Sequence, residues 1–400
     1  MSKPKIRVKG YKDDWEQRKL GEAIIEYKET VDPDCTLPVL TSSKTEGVIL
    51  QEEHFGRKQN HDITGYNILP RNYCTYRNRS DGVDFTFNLN KCCDKGIISK
   101  FYPVFYGNDN DTFFISLVLN NSDEVIREIG YTCTGTGQKV LSFLDLQKMN
   151  IKLPSYNEQR KISLYFSHLD HLITLHQRKC DETKKLKKYM LQKMFPQNGN
   201  KVPEIRFFGF TDDWEQRKFE EVCSEIGDGL HSAPEYDDNG KFFFINGNNL
   251  INGHIAIDSN ETKRVSKSTF EKNNKHLDDN TVLLSINGTI GNLAYYQGEQ
   301  VMLGKSVAYL KANKIDKTFL YNSLQTRTVL NNFMLSLTGT TIKNLGLEAI
   351  KNTKIIIPKL NEQEKIGSYF SKLDNLITLH HRKYEELQKI KKFMLQNMFV

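Results

Sequence analysis

The sequence has no C-x-x-C pair, and its seven cysteines, at positions 35, 74, 92, 93, 133, 180 and 223, are scattered and odd in number. That pattern argues against zinc chelation, redox exchange and a disulfide framework, and the cysteines read as reduced thiols. Apolar runs long enough to span a bilayer are missing as well. With 26% charged residues and a mean hydropathy of -0.56, a membrane class is excluded. The opening stretch, MSKPKIRVKGYKDDWEQRK, carries positive charge but neither an apolar core nor a small-residue cleavage site. It does not read as a secretory signal, so a cytoplasmic location is expected. Catalytic signatures are absent too: no N-P-P-[YF] or D-P-P-Y, no G-x-x-x-x-G-K-[ST], no nuclease carboxylate cluster, and Gly135-Thr136-Gly137 lacks the third glycine of a dinucleotide fingerprint. No catalytic residues and no metal site are therefore expected on this chain.

Four hundred residues exceed what one hydrophobic core organises, so two or more units are the starting expectation. Hydrophobic content of 38%, with 23 Phe and 18 Tyr, supplies the apolar surface for packed cores. A formal charge of +7 suits a polyanionic partner without specifying one.

Internal repetition is the strongest signal. The segment Asp13 to Lys19, DDWEQRK, recurs unchanged as Asp212 to Lys218 and contains both tryptophans of the chain. Upstream, P-x-I-R-x-x-G occurs at Pro4, Ile6, Arg7 and Gly10 and again at Pro203, Ile205, Arg206 and Gly209. A second match links Pro154–Phe195 to Pro358–Phe399, with 27 of 42 positions identical and an offset of 204. T-G-T-x-x-K precedes both copies, at Thr134 to Lys139 and Thr338 to Lys343. Residues 22–133 and 221–337, in contrast, cannot be aligned. The frame repeats and the bodies do not, as expected if the frame does one mechanical job twice while each body touches a different surface.

Both repeated tails read as long helices. Ile162, Phe166, Leu169, Ile173, His176, Cys180, Thr183, Lys187, Met190 and Met194 recur at spacings of four and three, as do Ile366, Phe370, Leu373, Ile377, His380, Tyr384, Leu387, Lys391, Met394 and Met398. This is a heptad seam, and the nearest partner with the same geometry is the other copy. His176 and His380 read as polar seam residues that fix register. Pro154 and Pro358, with Asn157 and Asn361 as N-caps, mark the helix starts. A helix of about 36 residues spans roughly 54 Å. If a pseudo-twofold axis relates the halves, antiparallel helices would act as a ruler holding two DNA contacts on the order of 10 to 15 base pairs apart. Gln177 to Lys193 carries seven Lys or Arg against two acids, suited either to DNA or to a solvated face.

The fold class is thus α+β: two mixed, sheet-rich globular domains and two long helices pairing as an antiparallel coiled coil. The expected boundaries are domain one at 1–153, helix one at 154–197, domain two at 198–357 and helix two at 358–400. Lys241–Ile245, Thr281–Ile286 and Phe113–Leu119 read as β-like runs, and N-G pairs at Asn246, Asn252 and Asn287 read as turns. YCTYRNRSDG, at Tyr73 to Gly82, interleaves aromatics, Arg and Asn, which stack, bind phosphate and pair with base edges. Candidate DNA contacts are Tyr76, Arg77, Asn78 and Arg79 there, with Asn246, Asn248, Asn249, Thr289 and Lys305 in the second body. Lys139 and Lys343 join them as phosphate ligands because they recur at equivalent positions.

Two unlike bodies alternating with repeated W-E-Q-R-K-[LF] heads, T-G-T-x-x-K segments and N-E-Q-x-K-I leading into F-S-x-L-D-x-L-I-T-L-H closely resemble the specificity subunits of type I restriction-modification systems. The resemblance covers the whole chain and implies a non-catalytic subunit reading a bipartite double-stranded DNA site. It implies partners: two modification subunits using S-adenosylmethionine, and restriction subunits using ATP and Mg. The helices and heads would dock the modification subunits. A protein-binding coiled-coil scaffold is the rival from another class; it predicts no salt-dependent affinity for duplex. Exchanging residues 22–133 for another body should change one half of the recognised site only, as read by motif analysis of the hybrid; a change in both halves would contradict modularity.

Overall fold

The computed structural model describes residues 3–32, 34–58, 62–197, 199–341 and 343–399. The chain forms two units, Met1–His176 with Arg382–Val400, and Gln177–His381. Two helices, Tyr156–Lys193 and Leu360–Met398, contribute to both.

In each unit, segments of the two helices lie antiparallel. In the first, Phe166 stacks on Phe399 with ring centroids 5.9 Å apart, while Asp170 takes Lys391 Nζ at 2.6 Å. In the second, Cys180 Sγ approaches Ile377 O at 3.8 Å, Lys187 Nζ meets Asp374 Oδ1 at 2.7 Å, and Phe195 packs on Phe370 at 6.0 Å. Rising numbers on one helix meet falling numbers on the other. Of the expected seam, Ile162, Phe166 and Leu169 are buried in the first core and Ile366, Phe370 and Leu373 in the second. Ile173, His176, Ile377 and His380 are half-buried.

The repeated heads are built into the helix starts. Glu16–Lys19 pairs antiparallel with Asn150–Leu153, and Glu215–Lys218 with Lys354–Ile357, immediately before the two helices. Arg7 reaches both oxygens of Glu158 at 2.8 Å, and Arg206 reaches both of Glu362 at 2.7 and 2.8 Å. These carboxylates are almost inaccessible, at 1% exposure each. The adjacent glutamines complete the joint: Gln159 Oε1 accepts from Asp111 N at 3.0 Å and Gln363 Oε1 from Asp316 N at 2.9 Å. Their Nε2 groups donate to Pro154 O and Pro358 O. Trp15 and Trp214 pack edge-on against Phe114 and Phe319, at 5.6 and 5.8 Å.

Though unlike in sequence, the bodies share a sheet. In the first unit, four antiparallel strands lie in the order Ile24–Glu26, Val104–Gly107, Cys74–Thr75, Asn88–Leu89. In the second the order is Cys223–Asp228, Val307–Ala312, Thr281–Ser285, Leu293–Tyr295. Strand order and chain order correspond one to one. What differs is inserted: two two-stranded ladders in the first, and in the second a three-stranded sheet with one parallel pair and a hairpin turning at Asn252-Gly253.

Two expectations are corrected. Asn157 and Asn361 are not the caps. The helices start at Tyr156 and Leu360, and the carbonyls of Ser155 and Lys359 accept the first backbone bonds, so the preference of Asn for caps misplaced the start by two residues. Phe113–Leu119 is not a strand. It lies in the helix Thr112–Asn121, capped by Asp111 Oδ1 accepting from Phe114 N at 2.8 Å. Because Phe114 to Leu119 are all buried, the helix shows no polar stripe and its apolar run looks like a core strand.

Glu158→Ala strands the mostly buried Arg7 without its carboxylate, and should cost the first unit about 3–5 kcal/mol in chemical denaturation. A cost below about 1 kcal/mol would place the pair among surface ion pairs.

Candidate nucleic-acid interface

In each unit the repeated T-G-T-x-x-K segment closes into the same loop. Thr134 and Val140 exchange backbone hydrogen bonds at 2.9 and 2.8 Å, and Thr338 and Asn344 do so at 3.0 and 2.9 Å. Gly135 and Gly339 turn the chain at φ of +99° and +88°, a region L side chains avoid. At Gly135 a Cβ would also fall 2.3 Å from Gln138 O.

Each loop then pairs with a segment of its own body. Lys139 and Val140 lie opposite Ser80 and Arg79, and Leu141 N donates to Asn78 O at 3.0 Å. In the second unit Asn344 lies opposite Asn287, and Leu345 N donates to Ile286 O at 2.8 Å. The repeated frame thus braces two unrelated segments at equivalent places, Arg77–Ser80 and Ser285–Gly288, with Lys343 exposed and Lys139 half-buried on the brace.

Extended backbone alternates side chains between faces, which sorts the first cluster. Tyr76 is fully buried, donates its hydroxyl to Leu141 O at 3.1 Å and packs on Phe87. Burial pushes its phenol far above the ordinary range. Tyr76 is therefore a core anchor, which corrects its reading as a DNA contact. Arg77 is exposed. Asn78 is half-buried, its backbone N held by Phe101 O at 2.9 Å and its side-chain oxygen enclosed. Arg79 is exposed, with its guanidinium 4.8 Å above the Phe101 ring. Both arginines border a cleft of about 550 Å³ that Lys44, Asp81, Asp84 and Tyr102 also line. Hydrogen bonds from Lys44 and then Ser80 hold the Asp84 carboxyl below its usual range. Among the described residues neither arginine has an ion-pair partner.

In the second unit, Ser306 gathers the candidates. Its hydroxyl donates to Asn246 Oδ1 at 3.0 Å and accepts from Gly247 N at 2.9 Å, while its carbonyl accepts from Ile286 N at 2.9 Å. Asn246, Lys305 and the Ile286 segment thereby come together, and Gly288 N reaches Lys343 O at 3.3 Å beside Thr289. Asn248, Thr289, Lys305 and Lys343 are exposed. Asn249 uses both ends of its amide internally, accepting from Asn246 N and donating to Ala256 O at 2.9 Å each. It is a turn-holding residue, a second correction. Lys44 escapes the sequence, and Asn287 reads there only as a turn; period-two alternation would have separated Tyr76 from Arg77 and Arg79, but nothing local marks Lys44.

Among the described residues no cluster of His, Cys, Asp or Glu is arranged to hold a metal ion, and no helix is long and apolar enough to cross a membrane. Tyr76→Phe should leave any duplex affinity unchanged and cost about 1 kcal/mol in denaturation. Reduced affinity in a folded variant would return the hydroxyl to the contact surface.

Residues 12–185 and 211–389 match the family model described as type I restriction modification DNA specificity domain. The chain is 26% identical over 277 residues to the type I restriction enzyme MjaVIII specificity subunit of Methanocaldococcus jannaschii, covering 64% of this chain and 63% of that one. It is 24% identical over 267 residues to the putative MjaX specificity subunit of the same organism, covering 64% and 59%. The chain thus spans less than two thirds of the relatives it matches. A crystal structure of the type I restriction-modification S subunit from M. genitalium superposes with a TM-score of 0.64 at 15% identity, covering 100% of this chain and 99% of that one, and so shares the fold. With both halves matched over most of their length, the chain belongs to the family of type I restriction modification DNA specificity domains and carries two copies of the domain.

Proposed function

We propose that this chain is the DNA-recognition subunit of a type I restriction-modification enzyme, that each unit reads one half of a bipartite duplex site, and that it catalyses nothing itself. One observation carries the reading: two body-specific segments, one bearing Arg77 and Arg79 and the other Asn287, are braced by the same lysine-bearing loop. Arginine and asparagine read base edges, and lysines neutralise phosphates. A constant brace with a changing reader is what two-part recognition requires.

The paired helices set the spacing between the half-sites in this reading, and they also dock modification subunits. Apolar side chains stand exposed at matching places on both: Leu172, Leu186 and Tyr189 on one, Leu376, Ile390 and Phe393 on the other. A surface presented twice suits two copies of one partner. S-adenosylmethionine, ATP and Mg belong to the modification and restriction subunits, and the assembly works in the cytoplasm.

Lys139→Ala and Lys343→Ala should each weaken binding to all duplexes alike and reduce the slope of log K against log[salt] by about 0.9. Fluorescence anisotropy of the full chain, alone and with its modification subunits, across a salt series measures both. Affinity indifferent to salt in every preparation would favour the protein-binding scaffold instead.

A further inference from the structure

The brace identifies which residues of the two bodies occupy the same position. Val140 and Asn344 are equivalent in the repeat, and they lie opposite Arg79 and Asn287 respectively. The next residues of the brace, Leu141 and Leu345, donate to the carbonyls of Asn78 and Ile286, which fixes the register independently. Both segments continue the third strand, in spatial order, of the shared four-stranded sheet. Arg79 in the first unit and Asn287 in the second therefore stand at one structural position, each beside the repeated lysine.

Neighbouring positions do not share this property. Arg77 corresponds to Ser285, which is buried and donates no base-reading fork. Tyr76 corresponds to Leu284, and both are core residues. At the Arg79 and Asn287 position, the side chain is polar in both bodies and unpaired among the described residues. Arg79 is oriented by the Phe101 face, which leaves its planar nitrogens uncommitted. Beyond Asn287 the space is open: a Cβ built on Gly288 meets nothing within 4 Å.

The two residue types differ in what they read. The guanidinium fork matches the O6 and N7 acceptors of guanine, whereas the carboxamide, one donor and one acceptor, matches N6 and N7 of adenine. We infer that this position sets one base of each half-site, guanine through Arg79 in the first unit and adenine through Asn287 in the second. The inference rests on the DNA-recognition reading and adds to it which residue discriminates and which base it selects.

The test is selection from a randomised duplex library by the full-length chain assembled with its modification subunits, using wild type, Arg79→Asn, Asn287→Arg, Arg79→Ala and Asn287→Ala. Asn287→Arg should replace an adenine by a guanine at one position of one half-site, and Arg79→Asn should do the reverse in the other half. Where the exchange gains no new preference, the alanine variants should still lower enrichment of the original base at that single position by about tenfold or more. Variants that retain the wild-type motif, or that alter both halves together, overturn the assignment. A wild-type chain that enriches no motif overturns the DNA-recognition reading itself, and this inference with it.

Discussion

Two buried carboxylates hold the repeated frame together. Glu158 and Glu362 sit in the first turn of the long helices, and each takes two nitrogens of an arginine from a head more than 150 residues earlier in the chain. A carboxylate out of water costs several kcal/mol unless paired, and a two-pronged arginine is the partner whose geometry satisfies both oxygens. The next residue, Gln159 or Gln363, joins the helix to the backbone of Asp111 or Asp316, which caps a core helix of the same unit. Head, long helix and body thus meet at two adjacent residues, Glu-Gln. Arg7 and Glu158 can change only together, as can Arg206 and Glu362, which accounts for heads and helices recurring as a set.

Around that joint the cores are completed from a distance in sequence. Phe399 lies against Phe114 and Phe166 in the first unit, and Phe195 against Phe319 and Phe370 in the second. Each unit borrows the end of the helix that the other repeat begins. Reciprocal ion pairs, Lys391 with Asp170 and Lys187 with Asp374, fix the same register twice. On this frame the four-stranded sheet is constant and the loops are not. The two segments that differ most in chemistry, Arg77–Ser80 and Ser285–Gly288, have their backbone held by the repeated frame, so their side chains can be exchanged without rebuilding the fold.

Much of this organisation is legible in the sequence for a physical reason: identical residues at a fixed offset must do the same job twice, and the heptad spacing of Ile162, Phe166 and Leu169 has few other uses. The common sheet of the bodies is not legible, because its order is carried by backbone pairing that many side chains satisfy. Phe113–Leu119 misleads because a fully buried helix loses its amphipathic period. Asn157 and Asn361 mislead because capping preference is statistical, and here the cap residues are Ser155 and Lys359. Within YCTYRNRSDG, composition alone groups Tyr76 with Arg77 and Arg79, whereas strand alternation sends the tyrosine to the core. Asn287 is visible as a turn signal but not as the counterpart of Arg79; that equivalence exists only through hydrogen bonds to the brace.

The central claim, that two braced segments select a split DNA site for modification, is tested most directly by mapping methylated bases across the source genome with the gene present and deleted. A bipartite motif that is methylated in the parent and loses methylation on deletion is the predicted result. Methylation unchanged at every motif would contradict the account.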